Sequence, residues 1–183
     1  MTNNQNIKVL IIEDDLGIAE IHRRNLMKID GFEAIGIAAS KNEAETLLDV
    51  LAPDLLLLDL YLPDGNGLDI LRYLRQKEYA CDVILITADR EVETLQQAMR
   101  GGVVDYLLKP VVFSRLQEAL DKYLKQKNKL GNIGDLDQSV VDSMIFNVAE
   151  GVTPETRLPK GIDKVTLDKV RALFDNQPHI TAD

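Results

Sequence analysis

Glu13, Asp14, Asp59, Thr87 and Lys109 are the residues of this 183-residue chain whose types and placing suit a single piece of chemistry. Each follows a strongly apolar run: Val9-Leu10-Ile11-Ile12, Leu55-Leu56-Leu57-Leu58, Val83-Ile84-Leu85-Ile86 and Leu107-Leu108. Taken singly, they have plain structural explanations. Acids before a helix are caps and dipole partners, a threonine at a strand end reflects β-propensity, and Lys109-Pro110 is a strand stop. Together they would gather two or three carboxylates, a hydroxyl and an ammonium in one crevice. Crowded carboxylates are costly without a counter-ion, so the set points to a place where a cation and an anion meet.

The groups define the chemistry. Hard oxygen ligands select Mg²⁺, or Mn²⁺, which keeps several waters and takes one or two carboxylates plus phosphate oxygen. Glu13 and Asp14 would hold the metal directly or through water, Asp59 would supply one oxygen, and the backbone carbonyl of Tyr61 would complete the set. Asp59 is then the candidate nucleophile toward a phosphoryl group, giving an aspartyl phosphate. Lys109 and the metal would neutralise the phosphoryl oxygens, and Thr87 would donate a hydrogen bond.

Such a cluster forms only if the runs are neighbouring parallel strands. The spacing predicts strands over 7–12, 33–38, 54–59, 82–87 and 105–109, alternating with helices over 18–29, 42–51, 68–76, 91–99 and 113–129. Five successive βα units predict an α/β fold, a five-stranded, parallel, doubly wound sheet covered by helices on both faces. The first, third and fourth runs are continuously apolar, as strands buried on both faces must be, whereas the second is mixed and suits an edge. In such sheets ligands bind beyond the carboxyl ends of the strands, where the strand order reverses. In the last helix, Phe113, Leu116, Leu120, Tyr123, Lys127 and Leu130 recur at spacings of three and four. That stripe suits either a coiled-coil seam or an amphipathic helix packed on its own sheet.

Composition narrows the classes further. Apolar residues make up 45% and charged residues 28%, the balance of a globular protein rather than a disordered one. No apolar run approaches the roughly 18 residues of a membrane span, and the first residues lack a signal peptide's basic start. The single Cys81 excludes an internal disulfide and there is no Cys/His cluster for zinc, so a cytoplasmic location is expected. A net charge of −9 argues against a nucleic-acid surface spread over the whole chain.

The ordered set Ile12-Glu13-Asp14-Asp15, Leu58-Asp59-Leu60-Tyr61-Leu62-Pro63-Asp64-Gly65, Ile86-Thr87-Ala88 and Asp105-Tyr106-Leu107-Leu108-Lys109-Pro110 resembles the receiver domain of two-component response regulators. The resemblance covers about two-thirds of the chain. It implies a flavodoxin/CheY-like fold, phosphotransfer from a sensor histidine kinase to Asp59, and Mg²⁺ at Glu13, Asp14, Asp59 and the Tyr61 carbonyl. It also implies a cis peptide before Pro110, and a switch in which Thr87 turns toward the phosphoryl group while Tyr106 fills the vacated space. The surface altered would be that of the fourth helix, fifth strand and fifth helix, a candidate homodimer face. Such a protein accepts phosphoryl groups rather than turning over a substrate. An aspartyl-phosphate phosphatase is the enzyme alternative, but those commonly carry a second acid two residues after the nucleophile, where this chain has Tyr61. A stand-alone interaction module is the third reading.

The chain divides into a receiver over residues 5–127, a linker with a short helix over 128–161, and the start of an effector domain over 162–183. Ser139 to Phe146, followed by Leu158-Pro159-Lys160-Gly161-Ile162-Asp163-Lys164-Val165-Thr166-Leu167, is similar to the linker and first effector helix of the CitB-like citrate and C4-dicarboxylate response regulators. That similarity implies a mostly helical extension leading into a winged helix-turn-helix that reads promoter DNA. A recognition helix is not reached before Asp183, so the effector region reads as truncated. Residues 126–183 carry seven Lys/Arg against nine Asp/Glu, so specific DNA binding is expected only of a full-length form.

Overall fold

The computed structural model describes residues 6–131. It contains a parallel sheet of five strands: β1 (Ile7–Ile12), β2 (Phe32–Ala38), β3 (Leu55–Asp59), β6 (Asp82–Thr87) and β7 (Asp105–Leu108). Their spatial order is β2-β1-β3-β6-β7, so the order reverses at β1, as the doubly wound reading requires. The mixed second run is an edge strand. The helices are α1 (Leu16–Leu26), α2 (Lys41–Leu51), α3 (Gly67–Gln76), α4 (Val92–Arg100) and α5 (Phe113–Gly131).

The continuous apolar runs are explained by how the pleat divides them. Leu10, Ile12, Leu56, Leu58, Val83 and Leu85 face one core, shared with Ala44 and Leu48 of α2, Ile70, Leu71 and Leu74 of α3 and Ala98 of α4. Val9, Ile11, Leu55, Leu57, Ile84 and Ile86 face the other, shared with Ala19 and Leu26 of α1 and Leu116 and Leu120 of α5. Period-two alternation sends neighbours to opposite faces, and helices on both faces leave no position for a polar residue. Each fully buried leucine or isoleucine contributes about 1.5–3 kcal/mol.

The stripe on α5 is settled in favour of the sheet. Leu116, Leu120 and Tyr123 are buried in the protein's own core with Phe113 packed against it, so this part of the stripe is not a coiled-coil seam. The polar interruption is accounted for as well: the Lys127 ammonium donates to the Tyr123 hydroxyl at 3.1 Å, and that hydroxyl donates to Asp82 at 2.9 Å.

Several boundaries shift by a residue or two from the spacing, and α1 ends at Leu26, three residues before the expected 29. Helix α1 begins two residues earlier than expected, because the Asp15 carboxylate caps it, accepting from the N–H groups of Gly17 and Ile18. Asp15 is therefore a structural cap. Helix α5 continues to Gly131, so residues 128–131, assigned to the linker by composition, are helical. A short antiparallel ladder of β4 (Tyr61–Leu62) and β5 (Gly65–Asn66) follows β3 and had no signal in the alternation of runs.

Residues 6–131 belong to one compact unit. The short helix expected at 139–146 and the effector segment at 162–183 lie outside the described residues. Among the described residues no helix is long and apolar enough to cross a membrane.

Candidate functional site

Strand register assembles the site. Ile12 pairs with Leu58, so Glu13 emerges from β1 beside Asp59 at the end of β3. Asp59 pairs with Ile86, placing Thr87 one step further, and Thr87 pairs with Leu108, placing Lys109 next. The Lys109 N–H donates to the Thr87 carbonyl at 2.8 Å, which fixes the last step. The Lys109–Pro110 peptide is cis, as the resemblance implied.

At this carboxyl edge the Lys109 ammonium lies 2.7 Å from Asp59 Oδ2 and 3.0 and 2.7 Å from the two oxygens of Glu13. Glu13 and Asp59 are buried, with 2% and 5% of their surface exposed, whereas Asp14 is exposed. Glu13, Asp14 and Asp59 each bring an oxygen into a group whose ligand atoms lie within 4.8 Å of one another. Three carboxylates against one ammonium leave an excess of two negative charges, which a divalent cation matches. Two like charges about 4 Å apart repel by ~4 kcal/mol at an effective dielectric near 20, so this excess is strongly unfavourable without a counter-ion. Burial pushes the Glu13 carboxyl above its usual range and repulsion from Asp59 adds to it, against the hydrogen bond from Lys109. Burial alone would lower the Lys109 pKa, but its hydrogen bonds to Asp59 and Glu13 more than offset this and hold it above its ordinary value. The donor set therefore fits a hard divalent cation.

Glu13, Asp14 and Lys109 thus gather around the Asp59 carboxylate. Tyr61 approaches by its main chain, whose N–H donates to Asp59 Oδ1 at 3.3 Å. Thr87 is fully buried, and its Oγ1 accepts the Asp89 N–H at 3.0 Å. Tyr106 is half-buried, and its hydroxyl donates to the Asp89 carbonyl at 3.2 Å.

Asp89 escaped the sequence reading. Its carboxylate accepts from the Tyr61 hydroxyl at 2.8 Å, the Thr94 hydroxyl at 3.1 Å and the Glu91 N–H at 2.7 Å. The signal was present: an acid stands just before a helix whose N-cap, Glu91, makes no capping bond through its own side chain. Asp64 was also missed as a structural link. It joins the loop after β3 to the start of α2, accepting from the N–H groups of Lys41 at 2.6 Å and Asn42 at 3.0 Å.

Gly67 is required by close approach. Its N–H donates to the Leu60 carbonyl at 2.7 Å, and a Cβ there would lie 3.0 Å from Leu60 Cα and inside contact distance of the Asp59 carbonyl oxygen. Gly67→Ala should cost roughly 1–3 kcal/mol as an overpacked site and displace Asp59. Chemical denaturation should show the stability loss, and phosphodonor labelling should fall more steeply than stability alone explains. Unchanged labelling would refute the displacement.

His22 of α1 is 4% exposed, and neither ring nitrogen meets a hydrogen-bond partner among the described residues. Burial lowers its pKa first, and repulsion from Lys109 adds to that, opposed by Asp59. Between its folded pKa and the ordinary value of 6.5, the unfolded chain binds more protons than the folded one. This part of the stability is therefore full above 6.5 and lost as pH falls through the folded pKa. His22→Leu should lose less melting temperature than the parent between about pH 7 and about pH 5.5. Parallel losses would show that His22 is not the group responsible.

A buried acid at a strand end, flanked by two further acids and a lysine on a doubly wound sheet, defines a receiver domain. Residues 9–121 match the family model of the response regulator receiver domain, and the chain belongs to that family. It is 39% identical over 168 residues to the transcriptional regulatory protein DpiA of Escherichia coli K12, covering 92% of this chain and 74% of that protein. It is 35% identical over 171 residues to a protein of Priestia megaterium named "Probable C4-dicarboxylate response regulator DctR", covering 93% of this chain and 74% of that one. Among solved structures, a CheY-like response regulator receiver protein from Methanospirillum hungatei superposes with a TM-score of 0.62 at 25% identity, over 68% of this chain and 98% of that one. The chain is thus a response regulator of the two-component type, with relatives among citrate and C4-dicarboxylate regulators.

Proposed function

We propose that Asp59 accepts a phosphoryl group from a phosphohistidine of a sensor histidine kinase. One observation carries this reading: a buried carboxylate holds an ammonium at 2.7 Å on one oxygen and has two further acids beside it. An Asp59 oxygen attacks phosphorus, the P–N bond breaks, and the imidazole leaves with the electron pair. Lys109 meets the charge gathering on the phosphoryl oxygens, and Thr87 donates its hydroxyl to one of them. Glu13, Asp14 and Asp59, with the Tyr61 carbonyl, would hold Mg²⁺ or Mn²⁺, which would supply further neutralisation of those oxygens.

The protein is an acceptor and switch rather than an enzyme with turnover. Support comes from Tyr61, which stands where the phosphatase alternative needs an acid and whose hydroxyl is committed to Asp89. Output is regulation of transcription in the cytoplasm, with genes of citrate or dicarboxylate transport or metabolism as targets. This rests on the similarity of the chain to DpiA and DctR. Phosphorylation favours a homodimer through α4, β7 and α5, where Val92, Leu95, Met99 and Leu108 leave apolar surface exposed.

Incubation with acetyl phosphate and Mg²⁺ should add a single phosphoryl group by intact mass, and a chelator should prevent it. Beryllofluoride with Mg²⁺ should raise the dimer fraction in sedimentation. Labelling indifferent to chelation would refute the metal assignment, and an unchanged association state would refute the dimer.

A further inference from the structure

Tyr61 meets the site by two different groups. Its main-chain N–H lies against Asp59 Oδ1, while its ring reaches the loop after β6 and donates its hydroxyl to Asp89 Oδ2 at 2.8 Å. Asp89 in turn holds both switch residues by its main chain: its N–H is bound to Thr87 Oγ1, and its carbonyl accepts the Tyr106 hydroxyl. Its carboxylate also fixes the first turn of α4 through Glu91 N–H and Thr94. The rest of the β4–β5 hairpin is pinned elsewhere, by Asp64 to α2 and by Gly67 to Leu60. Residue 61 is therefore a point at which the acidic cluster, through its main chain, and the loop after β6, through its side chain, meet in one residue. Tyr61 is 55% exposed, and its hydroxyl bond to Asp89 is the hydrogen bond that fixes its ring.

We infer that the Tyr61–Asp89 hydrogen bond is a positioning latch that couples a divalent cation at the acidic cluster to the switch residues Thr87 and Tyr106. The coupling rests on the metal reading given above. By holding residue 61 in place, the latch readies the main chain beside Asp59 for the cation. By linkage, the cation tightens the latch and with it the seats of Thr87 and Tyr106. The metal thus prepares the switch before any phosphoryl group arrives.

Mg²⁺ alone offers Thr87 no phosphoryl oxygen, so a response of Tyr106 to metal alone isolates this route. The test uses the whole chain and compares wild type with Tyr61→Phe, Asp89→Ala and Asp89→Asn. Mg²⁺ affinity is measured by calorimetry and the Tyr106 ring resonances are followed through the titration. Tyr61→Phe changes no charge and removes only the hydroxyl. It should weaken Mg²⁺ binding roughly two- to tenfold, the scale of one hydrogen bond, and abolish the metal-dependent shift of the Tyr106 ring. Asp89→Ala should abolish that shift too, whereas Asp89→Asn, which keeps an acceptor oxygen for Tyr61, should retain it. A Tyr61→Phe protein with wild-type affinity, or with an unchanged Tyr106 shift, overturns the latch while leaving the metal site standing. A wild-type protein that binds no Mg²⁺ removes the metal reading and the latch together.

Discussion

Asp59→Asn should abolish stoichiometric labelling by a small-molecule phosphodonor while leaving the fold in place. The substitution keeps the size of the side chain but only one acceptor oxygen; the Tyr61 N–H and the Lys109 ammonium use different oxygens of Asp59, so one of them loses that partner, while Lys109 stays bound to Glu13. What disappears is the anionic nucleophile, because an amide oxygen does not form a stable acyl phosphate. Glu13 is as buried as Asp59, but it is held by Lys109 through both of its oxygens, so it does not take over. The measurement is intact mass after acetyl phosphate and Mg²⁺, with thermal melting to show that the variant is folded. Continued labelling to one equivalent would sink the assignment of Asp59. Stability should stay level or rise, since one of three crowded carboxylates has been neutralised.

Lys109→Met has the next largest effect, on two separate observables. Among the described residues Lys109 supplies the only ammonium bound to Glu13 and Asp59. Removing one such fixed donor from charge developing on a transferring group typically costs about a hundred- to a thousandfold in rate, and phosphodonor labelling should slow by that order. The second observable is stability, since the variant leaves two buried carboxylates facing each other. Breaking a buried pair costs about 3–5 kcal/mol, and the lower end applies because the Lys109 side chain is still 19% exposed.

This deficit depends on pH with a definite sign. The Glu13 carboxyl already lies above its ordinary value of 4.5, and losing Lys109 raises it further. A folded state with a raised carboxyl pKa binds more protons than the unfolded chain, so its stability increases as pH falls. The penalty is full above the folded pKa of Glu13 and shrinks as pH falls through it toward 4.5. Denaturant titrations of wild type and variant at neutral and mildly acidic pH should therefore converge. A gap independent of pH would mean that lost packing of the lysine stem, not exposed charge repulsion, explains the destabilisation.

Much of this was readable before any coordinates because the information is local. An apolar run long enough for a strand, followed at once by a polar residue, reveals both the strand and the residue at its exit. That logic located Glu13, Asp59, Thr87 and Lys109, and parallel register alone then brought them together. Asp89 and the Tyr61 hydroxyl were not legible in this way. Their partnership joins a two-residue strand to a loop 28 residues away, and neither is long enough to carry a periodicity that would align them. Asp64 failed for the same reason, since its partners lie at the start of another helix. The α5 stripe was ambiguous for a different reason. Spacings of three and four describe a helix buried on its own sheet as well as one buried on a neighbour, and only packing decides which.

The Tyr106 hydroxyl already rests on the Asp89 carbonyl with Asp59 in its carboxylate form. A switch whose moving parts are held by single hydrogen bonds, each worth about 1 kcal/mol, has two arrangements separated by only a few kcal/mol. On the switch proposed above, the resting ensemble would then include the signalling arrangement at a level on the order of 0.1–10%. Such a protein would behave as a dial rather than a gate: background output would be built in, and the ratio of stimulated to basal response would be set by how few bonds must be exchanged.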